Sequence, residues 1–183
     1  MIDDIVFKKV TMENLEIACK IQNEIFPKED GRQNFIEQIN QDQYRKEQDY
    51  RIVYLGDEPI GITGIYSYHE YPENAWLGWF GITEKYRKKG YGGIVLDKTI
   101  KLAEEKGYTK FRLYTDEYAT SAHKLYKSRG LVEESYDNEN DKDEYFDAKI
   151  YIYSKSLTEE KIDLWNNKTL GLKEQGKKEH LYD

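Results

Sequence analysis

One stretch, Trp79-Phe80-Gly81-Ile82-Thr83-Glu84-Lys85-Tyr86-Arg87-Lys88-Lys89-Gly90-Tyr91-Gly92-Gly93, constrains this chain more than any other. An apolar, aromatic run ends at Ile82. A basic turn follows at Arg87, Lys88 and Lys89, and Gly90, Gly92 and Gly93 close it. Beyond it, Ile94, Val95, Leu96, Ile100 and Ala103 recur at helical spacing rather than in strand alternation. The unit therefore reads strand, basic glycine-rich turn, helix. The first turn of a helix carries unpaired N–H groups and a partial positive charge. Glycines let an anion approach those N–H groups, and three basic side chains add full charges. The pattern predicts a cradle for a pyrophosphate; the plainer alternative is a surface turn with a solvated basic run.

Two common phosphate loops do not fit. No G-x-x-x-x-G-K-[ST] string occurs. Gly90-Tyr91-Gly92 opens a dinucleotide fingerprint, but Val95 stands where the third glycine belongs. The acidic residue expected about twenty positions on would fall near Lys110, after a helix and not after a second strand. Arg-x-x-Gly-x-Gly, spanning Arg87 to Gly92, does fit, and it resembles the coenzyme A pyrophosphate loop of GNAT-superfamily N-acetyltransferases. The resemblance implies acetyl-CoA as cosubstrate, held at Arg87, Lys88, Lys89, Gly90, Tyr91, Gly92 and Gly93. It also implies an oxyanion donor in the main chain of the preceding strand near Ile82.

At 183 residues the default is one domain with a sizeable core. The sequence divides into a main domain over residues 1–157 and a charged extension over 158–183. Leu164, Trp165, Leu170 and Leu172 could dock the extension, and its polar end beyond Gly176 is expected to be disordered. No apolar run reaches membrane-span length and the first residues lack a secretory pattern, so no membrane partner is expected. Cys19 is the only cysteine, which excludes an intramolecular disulfide; together these features point to the cytoplasm. A net charge of -7 argues against general nucleic-acid binding and favours cationic partners. His69, His123 and His180 are far apart in sequence and show no zinc-type spacing, so no metal is expected.

Hydrophobic periodicity predicts strands over Ile5–Val10, Tyr50–Leu55, Ile60–Tyr68, Ala75–Ile82, Lys110–Thr115, Leu131–Tyr136 and Tyr145–Ser154. Helices are predicted from an N-cap at Thr11 to the residue before Pro27, from Gly31 to about Tyr44, after the cradle as far as Gly107, and over Ala119–Arg129. Leu15, Ile17, Ala18, Ile21, Ile25 and Phe26 form the stripe of the first helix. Phe35, Ile36 and Ile39 form the thin stripe of the second. Gly61 and Gly64 mark a bulge or a close approach within the third strand. This order resembles that of the GNAT fold, which implies an α/β (α+β) architecture with a central twisted mixed sheet of about seven strands and about four helices.

A second set of residues resembles the same family. Ala122, Leu125 and Tyr126, followed by Gly130-Leu131, resemble the segment Asn-x-x-Ala-x-x-Leu-Tyr…Gly-Phe, with Ala119 where the family often has asparagine. The resemblance implies that Tyr126 protonates the departing thiolate; the plainer reading is a half-buried tyrosine on an amphipathic helix. An acceptor ammonium must lose a proton before attack. Glu70 and Glu73 are the candidate bases, with two solvated carboxylates as the alternative. The run Asp137 to Glu144 carries five acids against Lys142, and would either attract a cationic amine or act as a solvated turn. The function implied is acetyl transfer from acetyl-CoA to a primary amine of a small cationic metabolite, polyamine or aminoglycoside-like. A peptide or protein amine, or a non-catalytic acyl-CoA-binding domain, are the alternatives. A homodimer through the last strands or the tail is a further expectation.

Overall fold

The computed structural model describes residues 4–142 and 148–172. The chain forms two compact units, residues 1–111 and 112–183.

In the first unit, β1 (Ile5–Lys9), β2 (Glu47–Leu55), β3 (Glu58–Tyr68) and β4 (Tyr71–Leu77) neighbour one another in that order, and a two-residue β5 (Gly81–Ile82) also pairs with β3. All four pairings are antiparallel. β3 is central, and its interior strings together eight buried residues from Ile60 to Ser67. The two glycines within it answer to close approach. A Cβ at Gly61 would stand 2.5 Å from the carbonyl oxygen of Gly81, and one at Gly64 would stand 2.5 Å from the Tyr50 ring. A bulge lies beside Gly61 as well: the β2 register slips between Val53 and Tyr54, where Ile60 is the extra residue and Pro59 is tolerated.

Helix α1 (Leu15–Ile25) starts later than the sequence suggests. Asn14, not Thr11, is the N-cap residue, and the Asn14 Oδ1 instead accepts the Thr11 N–H at 2.8 Å across a preceding turn. Leu15, Ala18, Cys19 and Ile21 pack against Tyr50, Ile52 and Ile62, but Ile17 stays exposed because it falls outside the stripe that faces the core. Helix α2 (Arg32–Ile39) ends five residues before Tyr44, because Gln41 turns into the left-handed region at φ 54° and Asp42 caps the next turn through the Tyr44 N–H. Its docking residue is polar. Gln38 is buried and bonds Val10 O and Tyr50 O at 3.1 Å each, while its Oε1 accepts the Tyr50 N–H. Gln22 closes the α1–α2 connection in the same way, to Glu29 O and Gly31 N. Ile36 faces solvent.

Helix α3 (Tyr91–Glu105) buries Val95, Leu96, Thr99, Ile100 and Ala103. Thr99 bonds the Thr63 hydroxyl of β3 at 2.8 Å. Gly107 at φ 90° lets the chain leave the helix. The strand β6 (Lys110–Asp116) follows.

In the second unit, helix α4 (Thr120–Ser128) precedes β7 (Val132–Tyr136) and β8 (Ile150–Ser156), which pair antiparallel with Val132 opposite Ser154 and Tyr136 opposite Ile150. β8 lies between β6 and β7. The last predicted strand is shorter than expected: its described part begins at Ile150, and 145–147 lie outside the described residues. Residues beyond β8 are held by β6 and β7. Buried Arg112 donates to Ser154 Oγ at 2.8 Å and to Asp163 O at 2.9 Å, and lies over the Trp165 ring. Glu134 accepts the N–H groups of Trp165 and Asn166. Trp165, Leu170 and Leu172 are buried, whereas Leu164 is exposed. The expectation for the polar end beyond Gly176 lies outside the described residues.

Candidate active site

The predicted fourth strand is broken. β4 ends at Leu77 and β5 begins at Gly81, which makes eight strands among the described residues where about seven were expected. Ile65 pairs with Leu77 and Ile62 with Gly81, so three residues, Gly78 to Phe80, face two on β3. That is a one-residue bulge. Trp79 takes it up at φ 50°. Its indole N–H donates to Asn34 Oδ1 at 2.9 Å and its ring meets Phe26 edge-on. Both helices, α1 and α2, are thereby tied to the bulge.

The bulge sets which way Ile82 points. The Thr83 N–H donates to Ile60 O at 2.8 Å, which makes Ile60 with Thr83 a hydrogen-bonded pair and the neighbouring Gly61 with Ile82 a pair of the other kind. The main-chain groups of Ile82 therefore point away from β3. Its carbonyl accepts the Arg87 Nε–H at 2.8 Å. Its N–H lies on the same outward edge, the direction an oxyanion donor needs.

The turn after β5 is anchored at both ends. Ile82 and Val95 lie in one core cluster with Ile5, Val53 and Ile60, and Tyr86, Tyr91 and Ile94 pack on it. Between these anchors a single turn, Glu84–Tyr86, leads to Lys88 at φ 61° and Gly90 at φ 84°. Gly90 is the N-cap of α3, and the Ile94 N–H returns to its carbonyl. The N–H groups of Tyr91, Gly92 and Gly93 are then the ones a helix start leaves without intrahelical partners. Arg87, Lys88 and Lys89 are exposed around them, and no atom lies within 4 Å of where a Gly90 Cβ would stand. This left-handed, basic, open turn suits the diphosphate of coenzyme A: its donors are main-chain N–H groups and its charge is positive.

Glu70 and Glu73 do not gather here. Glu70 is exposed in the β3–β4 turn, and Glu73 is part of β4 rather than of a loop, 3.8 Å from Lys110 Nζ. Gly61 is opposite Ile82 and Tyr68 opposite Tyr71, so seven residues of β3, about 23 Å at strand rise, separate the turn that holds Glu70 from Ile82. Glu73 lies beyond Trp76, which faces Tyr66, and so stands more than about 17 Å away. No side chain spans those distances, which argues against either glutamate as a direct base at a carbonyl near Ile82.

Tyr126 belongs to the second unit. It is buried on α4, with its ring 5.3 Å from that of Tyr153. Burial pushes its hydroxyl pKa well up, so it stays a protonated donor at neutral pH. Around it is a cluster that sequence spacing could not show, because its members come from separate elements. His123 Nδ1 meets the Tyr153 hydroxyl at 2.5 Å and His123 Nε2 meets Asp116 O at 2.7 Å. The Tyr153 hydroxyl also bonds Glu133, which Lys127 Nζ approaches at 3.2 Å. Ala119 is the N-cap residue of α4 and supplies no side-chain cap; its N–H is taken by Asp116 Oδ1 at 3.2 Å.

The acidic run is not uniformly solvated. Asp141 is buried, accepting the Tyr136 hydroxyl at 2.7 Å and the Leu170 N–H at 2.8 Å. Glu139 pairs with Lys142 at 3.1 Å. Asp137 and Glu139 are exposed, and Asp143 and Glu144 lie outside the described residues. Among the described residues no group of three or more His, Cys, Asp or Glu could hold a metal ion, and no helix is long and apolar enough to cross a membrane.

Residues 15–131 match the model of a family described as the acetyltransferase (GNAT) family. No curated protein sequence matches the chain. Among solved structures it is similar to the ribosomal-protein-S18-alanine N-acetyltransferase of Escherichia coli, at 16% identity and TM-score 0.65 over 88% of this chain and 99% of that one. It is similar to the spermidine N-acetyltransferase of Vibrio cholerae solved with CoA and spermine, at 14% identity and TM-score 0.67 over 84% and 96%. A GNAT-family acetyltransferase of Elizabethkingia anophelis with acetyl-CoA bound shares 21% identity at TM-score 0.65 over 85% and 99%. At these identities the structural likeness establishes the fold, the mixed-sheet α/β class expected from the resemblance.

Proposed function

The chain belongs to the acetyltransferase (GNAT) family, and on that premise we propose that it acetylates the primary amine of a small cationic metabolite, a polyamine or an aminoglycoside-like amine, by direct attack. As an acetyl-CoA-dependent N-acetyltransferase it draws on acetyl-CoA for the chemistry that cosubstrate brings, an acetyl group activated as a thioester. The observation that carries the reading is the turn at Gly90, where a left-handed glycine starts α3 amid three exposed cations.

In this reading the N–H groups of Tyr91, Gly92 and Gly93 hold the diphosphate, with Arg87, Lys88 and Lys89 adding charge. Arg87 also acts on the strand before it. Its bond to Ile82 O ties the cradle to β5 and holds the outward orientation of the Ile82 main chain. The Ile82 N–H then serves the oxygen that gains charge during attack. Tyr126, kept protonated by burial, donates to the departing sulfur. For the acceptor's proton, water is the simplest path, since Glu70 and Glu73 both stand more than about 17 Å along the sheet from Ile82.

The net charge of -7 and the exposed Asp137 and Glu139 support a cationic acceptor. The Vibrio cholerae neighbour, solved with spermine, supports a polyamine. A peptide N-terminal amine is the second reading, supported by the Escherichia coli neighbour named for the alanine of a ribosomal protein. Thiol release from acetyl-CoA across polyamines, aminoglycosides and an alanine-ended peptide tests both. Turnover of polyamines, with a KM that rises with salt, is the expected result. Turnover of the peptide alone selects the second reading, and no turnover with any amine overturns both.

A further inference from the structure

The Asp116 main-chain oxygen can only accept a hydrogen bond, so the His123 Nε2 that meets it carries a proton. Two more contacts run in series from the other ring nitrogen: His123 Nδ1 to the Tyr153 hydroxyl, and that hydroxyl to Glu133 Oε2. Two hydrogen bonds require two protons. The phenol supplies one, and the other resides within the His123–Glu133 pair, whose Nδ1 and Oε2 are 3.7 Å apart. The trio as it stands therefore holds one proton more than a neutral imidazole, a phenol and a carboxylate together. The groups around it are Lys127 and Tyr126 on its own helix, Glu133 on β7, and Tyr151 and Tyr153 on β8, with the Tyr151 ring edge-on to His123 at 5.4 Å. On the β6 side, the Asp116 carboxylate is engaged by the N–H groups of Tyr118 and Ala119.

We propose that His123, Tyr153 and Glu133 form a proton-dependent clasp that positions Tyr126. Closed, the clasp pins the Tyr153 ring, and the Tyr153 ring is the wall against which Tyr126 rests. When the extra proton goes to solvent, one of the two contacts sets lone pair against lone pair and opens. The Tyr153 hydroxyl then keeps one partner instead of two, and the buried ring beside Tyr126 is held less firmly. The Glu133 carboxyl, held below its ordinary range by the Tyr153 hydrogen bond and by Lys127, agrees with a carboxylate that needs a donor. His123, Tyr153 and Glu133 are positioning residues, and the inference rests on the reading of Tyr126 as the proton donor.

The test is kinetic. Tyr153→Phe keeps the ring and removes the hydroxyl. It should lower kcat about tenfold in the parent enzyme, but less than about twofold when Tyr126 is already Phe, because residues that act through one another do not add. The parent kcat should fall on the alkaline side of its pH profile. His123→Asn, whose amide N–H stands near the Nδ1 position and does not titrate, should abolish that fall while keeping most of the activity. Glu133→Gln, a shape-conserving change, should move the fall as a second check independent of any fault in folding. Equal costs of Tyr153→Phe in both backgrounds, or an alkaline fall unchanged in His123→Asn, overturns the clasp while leaving the Tyr126 assignment standing. Full activity in Tyr126→Phe alone removes the donor assignment itself, and the clasp with it.

Discussion

The first unit offers main-chain groups where the second offers side chains. Around Gly90 the donors are N–H groups directed by a left-handed residue and a helix start, and the nearest basic side chains are exposed. Around Tyr126 the group proposed to donate is a buried phenol, set against a second phenol that is itself held by an imidazole and a carboxylate. A main-chain site is built by consecutive residues and tolerates changes in their side chains, but not in the one dihedral that forms it. A side-chain site draws on α4, β7 and β8 together and fails at whichever member is removed.

Mutation can overturn that contrast. The largest effect is expected at the second region: Tyr126→Phe should cost about 10²-fold in kcat or more, with acetyl-CoA affinity nearly kept. Steady-state kinetics beside calorimetry decides it, and a parallel loss of affinity would mean that Tyr126 serves the binding site instead.

Next comes the main-chain region. Gly90→Val must hold a β-branched residue at φ 84° and sends its side chain into the open cradle, so coenzyme A affinity should fall about tenfold or more. Lys88→Ala and Lys89→Ala should each cost less than about threefold at physiological salt, since exposed charges are screened. If the lysines matter more than the glycine, the cradle is a charge cluster and the difference between the units dissolves.

The acidic run tests the same difference at a lower level. Asp141→Asn leaves one neutral amide oxygen where a carboxylate accepts from Tyr136 and Leu170, and should lower unfolding stability by about 1 kcal/mol. Asp137→Asn, on an exposed residue, should leave stability unchanged in a thermal melt. Equal melts for the two variants would return Asp141 to the solvated set.

The smallest effect belongs to a side-chain cluster inside the first unit. Burial alone would raise the Asp49 carboxyl, but hydrogen bonds and charge from Arg51 and Lys106 outweigh it and hold the pKa below its usual value. A carboxyl lowered in the folded state contributes stability fully present above the unfolded pKa of about 3.9, and lost as pH falls through the lower folded pKa. Below about pH 4 the parent should therefore lose stability more steeply than Asp49→Asn. Parallel acid melts would show that the pair with Arg51, at 2.9 Å, carries no linkage.

Features with local causes were legible in the amino-acid order. The succession of strands and helices follows from periodicity, and the basic turn that starts α3 follows from consecutive residues, Arg87 to Gly93, between an apolar strand and an amphipathic helix. The ends of α3 and α4 could be read for the same reason, since Gly107 and Gly130 provide the positive φ that stops a helix. Where competing local signals met long-range pairing, boundaries moved. Tyr44 fell outside α2 because Gln41 turned left-handed, and β4 broke because its pairing with β3 takes up one residue too many at Trp79. Which polar residues turned inward was settled by packing alone. Gln38, Arg112 and Asp141 look like surface residues in a string of charges, yet each replaces a missing main-chain or side-chain partner across many positions of sequence. His123, Glu133 and Tyr153 are likewise brought together by a helix packing on a hairpin. The reason is physical. A dihedral or a helix start is set by neighbours in the chain, whereas the partner of a buried hydrogen-bonding group is set by whichever segment folding brings within about 3 Å.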